Sequence, residues 1–96
     1  MPPKFAVKVS KGFLKSLEEL PPERALELAE KLKILETAPL PSGKARIKKL
    51  KGFTPPLYRL RVGKKRVLYR ISGGQVVLLK MIDRKELDRE LKNLGG

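Results

Sequence analysis

The 96-residue chain contains no cysteine, histidine or tryptophan. Without cysteine it can form neither a disulfide framework nor a reactive thiolate. Without histidine it lacks the commonest general acid–base residue, and the absence of both types argues against a transition-metal site. No apolar run is long enough to cross a bilayer, the first four residues do not resemble a signal peptide, and no glycine-rich phosphate loop is present. We therefore expect a cytoplasmic protein that uses no cofactor and does not contact a membrane.

Acidic residues are absent from the middle of the chain, from Thr37 through Ile82. The same segment holds 12 of the 23 lysine and arginine residues, so it carries nearly all of the net charge of +13. Segregated positive charge favours binding to a nucleic acid or to a strongly acidic protein. A basic face kept only for solubility is the alternative, although such surfaces usually mix both signs.

Residues 57–71 alternate between apolar and basic side chains in two runs that flank a glycine-containing turn, which predicts an antiparallel hairpin. The apolar positions are Tyr58, Leu60, Val62, Val67, Tyr69 and Ile71. The basic positions are Arg59, Arg61, Arg66 and Arg70. The two sets lie on opposite faces if the turn has an even number of residues, either 63–64 or 63–66. Tyr58 and Tyr69 are then core residues, and Phe53 is the only aromatic residue we consider for stacking on a base.

The first part of the chain predicts a strand at residues 5–9 and two helices. Ser10 is positioned to cap the first helix. Its apolar side carries Phe13, Leu14, Leu17 and Leu20. The second helix runs from the proline pair at 21–22 to about residue 36. Its apolar stripe is formed by Ala25, Leu28, Ala29, Leu32 and Leu35.

The second part predicts a short basic strand near residues 47–50, the hairpin, and a strand at 76–79 buried on both faces. Asp83 is positioned to cap a last helix through about residue 94. Its inward residues are Leu87, Leu91 and Leu94. We expect one α+β domain over residues 1–96, with an N-terminal strand, a helical hairpin on a mostly antiparallel sheet of four to five strands, and a closing C-terminal helix.

Four segments together resemble the RelE/ParE superfamily of bacterial and archaeal toxins. They are Lys49-Leu-Lys-Gly52, Leu57-Tyr-Arg-Leu-Arg-Val-Gly63, Arg66-Val-Leu-Tyr-Arg-Ile71 and Arg84-Lys-Glu-Leu87. The RelE branch cleaves messenger RNA in the ribosomal A site without metal, by attack of the ribose 2′-OH that leaves a 2′,3′-cyclic phosphate. Arginine suits this chemistry because it binds phosphate bidentately and stays charged.

The resemblance implies four catalytic residues. Arg59 and Arg61 match two basic residues on the central strand, Arg66 matches the arginine that binds the scissile phosphate, and Arg84 matches the arginine before the last helix. Weaker attraction to RNA is expected of six further residues. These are Lys48, Lys49, Lys51, Lys64, Lys65 and Arg70.

The chain departs from the family near its C-terminus, where many RelE-type enzymes have a tyrosine. Asp88 occupies the equivalent position, and no aromatic residue follows Tyr69. Because an ionised carboxylate repels phosphate, we expect Asp88 to be a residue of the helix surface and not an acid. This departure keeps two alternatives open: a ParE-type inhibitor of DNA gyrase, and a catalytically dead relative that binds nucleic acid or antitoxin.

Partners follow from the same reasoning. A toxin of this kind has a cognate antitoxin, and a chain of charge +13 suits an acidic, partly disordered segment that wraps around it. The nuclease reading adds the ribosome and messenger RNA as partners, and the ParE reading adds DNA gyrase.

Overall fold

The computed structural model describes residues 5–41, 46–87, 89, 91 and 92. The first half comprises strand β1 (Ala6–Val9), helices α1 (Lys11–Glu18) and α2 (Pro22–Leu32), and a 3-10 turn (Lys33–Glu36). The second half comprises strands β2 (Ile47–Leu50), β3 (Leu57–Val62), β4 (Lys65–Ser72) and β5 (Gln75–Asp83), followed by a 3-10 turn (Arg84–Glu86). This order confirms the predicted α+β arrangement.

The five strands form one sheet in the order β1-β5-β4-β3-β2. Strand β1 runs parallel to β5, and the other neighbours are antiparallel. A parallel pair needs a crossover connection, and here the helical hairpin together with β2, β3 and β4 lies between β1 and β5 in the chain. Strand β4 therefore occupies the centre, and β5 lies between β1 and β4.

Helix α1 is fixed at its start by Ser10. The Ser10 hydroxyl accepts a hydrogen bond from the Phe13 amide (3.2 Å) and donates one to the Leu79 carbonyl (2.8 Å), which confirms the predicted cap.

The register of β4 with β5 shifts at Leu68/Tyr69 and skips Leu79. In the part of the chain that the structure describes, no helix is long and apolar enough to span a bilayer.

The main core lies between the two helices and one face of the sheet. Phe13, Leu28 and Leu35 pack there against residues of β3, β4 and β5. Tyr69 is fully buried, donates a hydrogen bond from its hydroxyl to the Pro39 carbonyl (2.6 Å) and stacks on Tyr58, with 5.6 Å between ring centroids. Both tyrosines are core residues, as predicted.

Two helical residues predicted to face inward are exposed. Leu14 is 45% exposed, because it follows the buried Phe13 by only one position and points away from the sheet that Phe13 covers. Ala29, which follows the buried Leu28, is exposed for the same reason. The apolar stripes of α1 and α2 are therefore narrower than the sequence indicates.

A second, smaller cluster lies on the other face of the sheet. Leu57, Leu68 and Ile82 are buried there, and Phe53 packs against them, so that Phe53 is a packing residue and not a stacking platform. Two C-terminal residues, Leu87 and Leu91, also pack on this cluster, as the sequence predicts.

The predicted closing helix is present only as the short 3-10 turn Arg84–Glu86, with helical backbone at residues 87, 89, 91 and 92. Asp83 does not cap it; its carboxylate pairs with Lys65 instead. Leu94 lies outside the described residues.

Candidate nucleic-acid interface

The hairpin of β3 and β4 has the shorter of the two turns that the alternation allows. Val62 is paired with Lys65, which leaves Gly63 and Lys64 as a two-residue turn. Gly63 has a φ of 58°, a conformation that glycine enters without steric cost. This register places the four hairpin arginines on the face of the sheet that points away from the helices.

Basic residues of neighbouring strands stand beside one another on this face. Arg61 is paired directly with Arg66, and Arg59 is paired with Lys48 on β2. Arg46 lies next to Arg61, whose amide donates to the Arg46 carbonyl (2.9 Å). We call this surface the basic face; its residues are Arg46, Lys48, Arg59, Arg61, Arg66 and Arg70. Arg46 was not among the predicted site residues, although its spacing of two from Lys48 was a usable signal.

Arg66 is the buried member of the basic face, with only 5% of its surface exposed. Its Nη1 atom donates hydrogen bonds to the carbonyls of Gly63 (3.0 Å) and Lys65 (2.9 Å), so the guanidinium is held against the hairpin turn. Desolvation lowers the pKa of Arg66, and the positive charges of Arg59, Arg61 and Arg84 lower it further.

Three of the residues predicted to be catalytic, Arg59, Arg61 and Arg84, are therefore close enough to the fourth, Arg66, to act on it electrostatically. Among the described residues, no carboxylate forms an ion pair with any of them. The Nε atoms of Arg59 and Arg70 are buried and have no hydrogen-bond partner within the described ranges. Positive charge that no described carboxylate pairs with, together with unused donors, is the arrangement expected of an anion-binding surface.

A backbone hydrogen bond brings Arg84 beside the arginines of the hairpin. Arg84 is exposed and begins the 3-10 turn after β5, and its amide donates to the Lys64 carbonyl (3.1 Å) in the hairpin turn. A residue 18 positions beyond Arg66 in the sequence is thereby brought beside it.

The lysines predicted to attract RNA do not form one group. Lys48 lies on the basic face, whereas Lys49 is paired with Tyr58 and so belongs to the opposite face. Lys51 and Lys64 are exposed in turns. Arg70 lies on the basic face and is half-buried. Asp88 lies outside the described residues.

Lys65 is engaged elsewhere. Its Nζ atom lies 2.7 Å from Asp83 Oδ1, on the helix side of the sheet. The hydrogen bond from Lys65 and its positive charge hold the pKa of Asp83 below its usual value. Both residues line a cavity of about 560 Å³ between the helical hairpin and the end of the sheet, which is separate from the basic face.

The basic face can bind and orient a phosphate, because guanidinium groups hold non-bridging oxygens in fixed geometry and keep their charge. Groups that exchange protons at neutral pH are not found beside it in the described part of the chain. Tyr58 and Tyr69 are buried on the opposite side, and Asp83 is held ionised by Lys65.

Comparisons with known proteins agree with this geometry. Residues 7–88 match the family model described as the ParE toxin of the type II toxin–antitoxin system parDE. The chain is 38% identical over 84 residues to RelE1 of Methanocaldococcus jannaschii, itself assigned as a toxin by prediction; the match covers 86% of this chain and 92% of that protein.

Two solved structures with the same fold are toxin–antitoxin complexes. The archaeal RelE–RelB complex of Pyrococcus horikoshii contains a chain that is 33% identical, with a TM-score of 0.71 over 84% of this chain and 96% of that one. The RelBE2 complex of Mycobacterium tuberculosis contains a chain that is 27% identical, with a TM-score of 0.69 over 88% and 94%.

The family model covers most of the sequence and carries the ParE name, while the relatives carry the RelE name. These matches agree on the superfamily. The chain belongs to the RelE/ParE superfamily of toxins of type II toxin–antitoxin systems.

Proposed function

We propose that this toxin is a ribosome-dependent endoribonuclease that cleaves messenger RNA. The observation that carries the proposal is the approach of Arg59, Arg61 and Arg84 to the buried Arg66, without a neutralising carboxylate among the described residues. A ParE-type inhibitor acts by binding a protein and has no need of such a cluster, whereas a phosphate in a reacting RNA strand requires one.

The proposed chemistry is a transfer at phosphorus. The ribose 2′-oxygen attacks the adjacent phosphorus and loses its proton, the bond to the 5′-oxygen breaks, and that oxygen gains a proton. Arg66 and Arg61 hold the non-bridging oxygens, and Arg84 and Arg59 stabilise the charge that builds up in the transition state.

Dependence on the ribosome follows from what the basic face lacks. The described residues beside it offer no histidine, tyrosine or neutral carboxylic acid for proton transfer. We propose that the arginines supply orientation and charge, and that the ribosome holds the messenger RNA so that the 2′-oxygen is in line for attack.

The test is primer extension on messenger RNA in a reconstituted translation system, with the wild type and with Arg66→Ala and Arg66→Lys. Cleavage at A-site codons should be lost in Arg66→Ala and strongly reduced in Arg66→Lys, because lysine keeps the charge but not the bidentate contact. Lys33→Ala, an exposed cation at the end of α2, is the matched control for loss of one charge. Messenger RNA that stays intact at high toxin concentration would refute the proposal.

The second candidate is inhibition of DNA gyrase. It is favoured by the match to the ParE family model and by the absence of any aromatic residue after Tyr69. A supercoiling assay with purified gyrase separates the two: inhibition that persists in Arg66→Ala, together with intact messenger RNA, would establish this candidate. If neither activity is found, the remaining candidate is the catalytically dead relative.

We also propose a cognate acidic antitoxin as partner, as in the RelE–RelB and RelBE2 complexes of the relatives. It should cover or distort the surface that bears Arg59, Arg61 and Arg66 and displace the closing segment after Arg84. A structure of the complex in which the antitoxin neither covers nor shifts any of the three arginines, and in which this segment is unmoved, would contradict the prediction.

A further inference from the structure

The Lys65–Asp83 ion pair lies directly beside the arginine cluster in the sequence, but on the other side of the sheet. Lys65 precedes Arg66, and Asp83 precedes Arg84. The two residues are also opposite each other in the pairing of β4 with β5. Their side chains meet at 2.7 Å on the helix side, whereas Arg66 lies on the basic face.

Besides the pairing of β5 with β4, which ends at Lys65 and Asp83, two further contacts hold the segment that carries Arg84 in the described part of the chain. The Arg84 amide donates to the Lys64 carbonyl (3.1 Å), and further along Leu87 and Leu91 pack on the small apolar cluster. The Asp83 side chain makes no helix-capping hydrogen bond. The ion pair is therefore the side-chain contact closest to Arg84 that joins this turn to the hairpin.

Electrostatic repulsion acts against this attachment. Arg59, Arg61 and Arg84 each make the charged form of Arg66 less favourable, and by reciprocity Arg66 repels each of them. Arg84 stands just beyond the last paired residues of β5, where this repulsion tends to push it away from Arg66. An attraction on the opposite side of the sheet offsets that tendency.

We infer that Lys65 and Asp83 are positioning residues, which hold Arg84 beside Arg66 by an ion pair behind the site. This assignment rests on the proposed nuclease function and differs from the weak attraction to RNA that the sequence predicts for Lys65. The lowered pKa of Asp83 agrees with it, because the carboxylate stays ionised over the range in which translation is assayed.

Two substitutions of opposite charge test the inference. Lys65→Met removes a positive charge and Asp83→Asn removes a negative one. If these residues acted only through their charge on RNA, the first variant would weaken cleavage and the second would strengthen it. A positioning pair requires that both variants weaken cleavage, and that the double variant is no worse than the poorer single one.

Amide hydrogen exchange of Arg84, measured on the toxin alone, gives a second readout that does not depend on nuclease activity. Both variants should exchange this amide about two to five times faster, the range for loss of a half-exposed ion pair, and kcat should fall with little change in KM. The Ser10 amide, which donates to the Leu78 carbonyl, reports whether the rest of the fold is intact. Lys15→Met and Glu30→Gln on the helices are the matched charge controls.

Each outcome of these measurements either supports or overturns the inference. Faster Arg84 exchange in both variants, with a return towards the wild-type rate in the reversed pair Lys65→Glu with Asp83→Lys, supports the inference. Unchanged Arg84 exchange, or opposite effects of the two single variants on cleavage, overturns it. If the wild type does not cleave RNA at all, the nuclease proposal fails, and the exchange measurement still decides whether the pair positions Arg84.

Discussion

Binding of single-stranded RNA should depend steeply on salt, and each cation that contacts a phosphate should contribute a measurable share of that dependence. A protein that neutralises Z phosphates of a single strand shows a slope of about −0.7Z in a plot of log affinity against log salt. Lys48, Arg59, Arg61 and Arg66 of the basic face, together with Arg84, offer about five contacts, which corresponds to a slope of about −3.5. Affinity should therefore fall about 130-fold between 50 and 200 mM salt.

Lys48 and Lys49 form a matched pair for this measurement. They are adjacent, exposed and of the same type, but the strand register places only Lys48 on the basic face. Lys48→Ala should reduce the slope to about −2.8, so that affinity falls only about 50-fold over the same salt range. Lys49→Ala should leave the slope near its wild-type value.

The assay is fluorescence anisotropy with a short labelled RNA at five or six salt concentrations. Equal reductions of the slope in both variants would refute this prediction. The lysines would then act only through the net charge of the protein, and the face to which the strand register assigns each one would not matter. A slope near zero in the wild type would remove the RNA interface altogether.

Three further predictions concern stability. Tyr69→Phe should lower the free energy of unfolding by about 1–3 kcal/mol, because the buried Pro39 carbonyl loses its hydrogen-bond donor. Tyr58→Phe loses no hydrogen bond seen in the described residues and should lower this free energy by less; urea denaturation measures both variants. Ser10→Ala should cost about 1 kcal/mol in the same experiment through loss of the helix cap. Lys65 lowers the pKa of Asp83 in the folded state. The contribution of Asp83 to stability is therefore present above the ordinary pKa of an aspartate, and it is lost as the pH falls through the pKa of the folded state. Asp83→Asn should flatten the acid limb of a plot of stability against pH.

Local patterns were sufficient to predict the order of the elements and the separation of the two hairpin faces. Alternation along a strand depends only on backbone geometry, so the arginines of each strand could be separated from its apolar residues, and an even-numbered turn was enough to bring the arginines of β3 and β4 onto one face. The cap of α1 followed from Ser10 in the same local way. Helix amphipathicity was a less reliable guide, since Leu14 and Ala29 are apolar but exposed. An apolar stripe shows which residues of a helix can be buried, but the width of the stripe that the sheet covers depends on how the helix packs.

The sequence by itself determined that a basic surface exists, that it opposes an apolar one, and that the fold belongs to this superfamily. Tertiary structure decided which cations share that surface. It separates Lys48 from Lys49 and engages Lys65 with Asp83, and it brings Arg84 to Arg66 through a backbone hydrogen bond to the hairpin turn. The physical reason is that these placements depend on register and on contacts between segments far apart in the chain, where the spacing of residues along one strand carries no information.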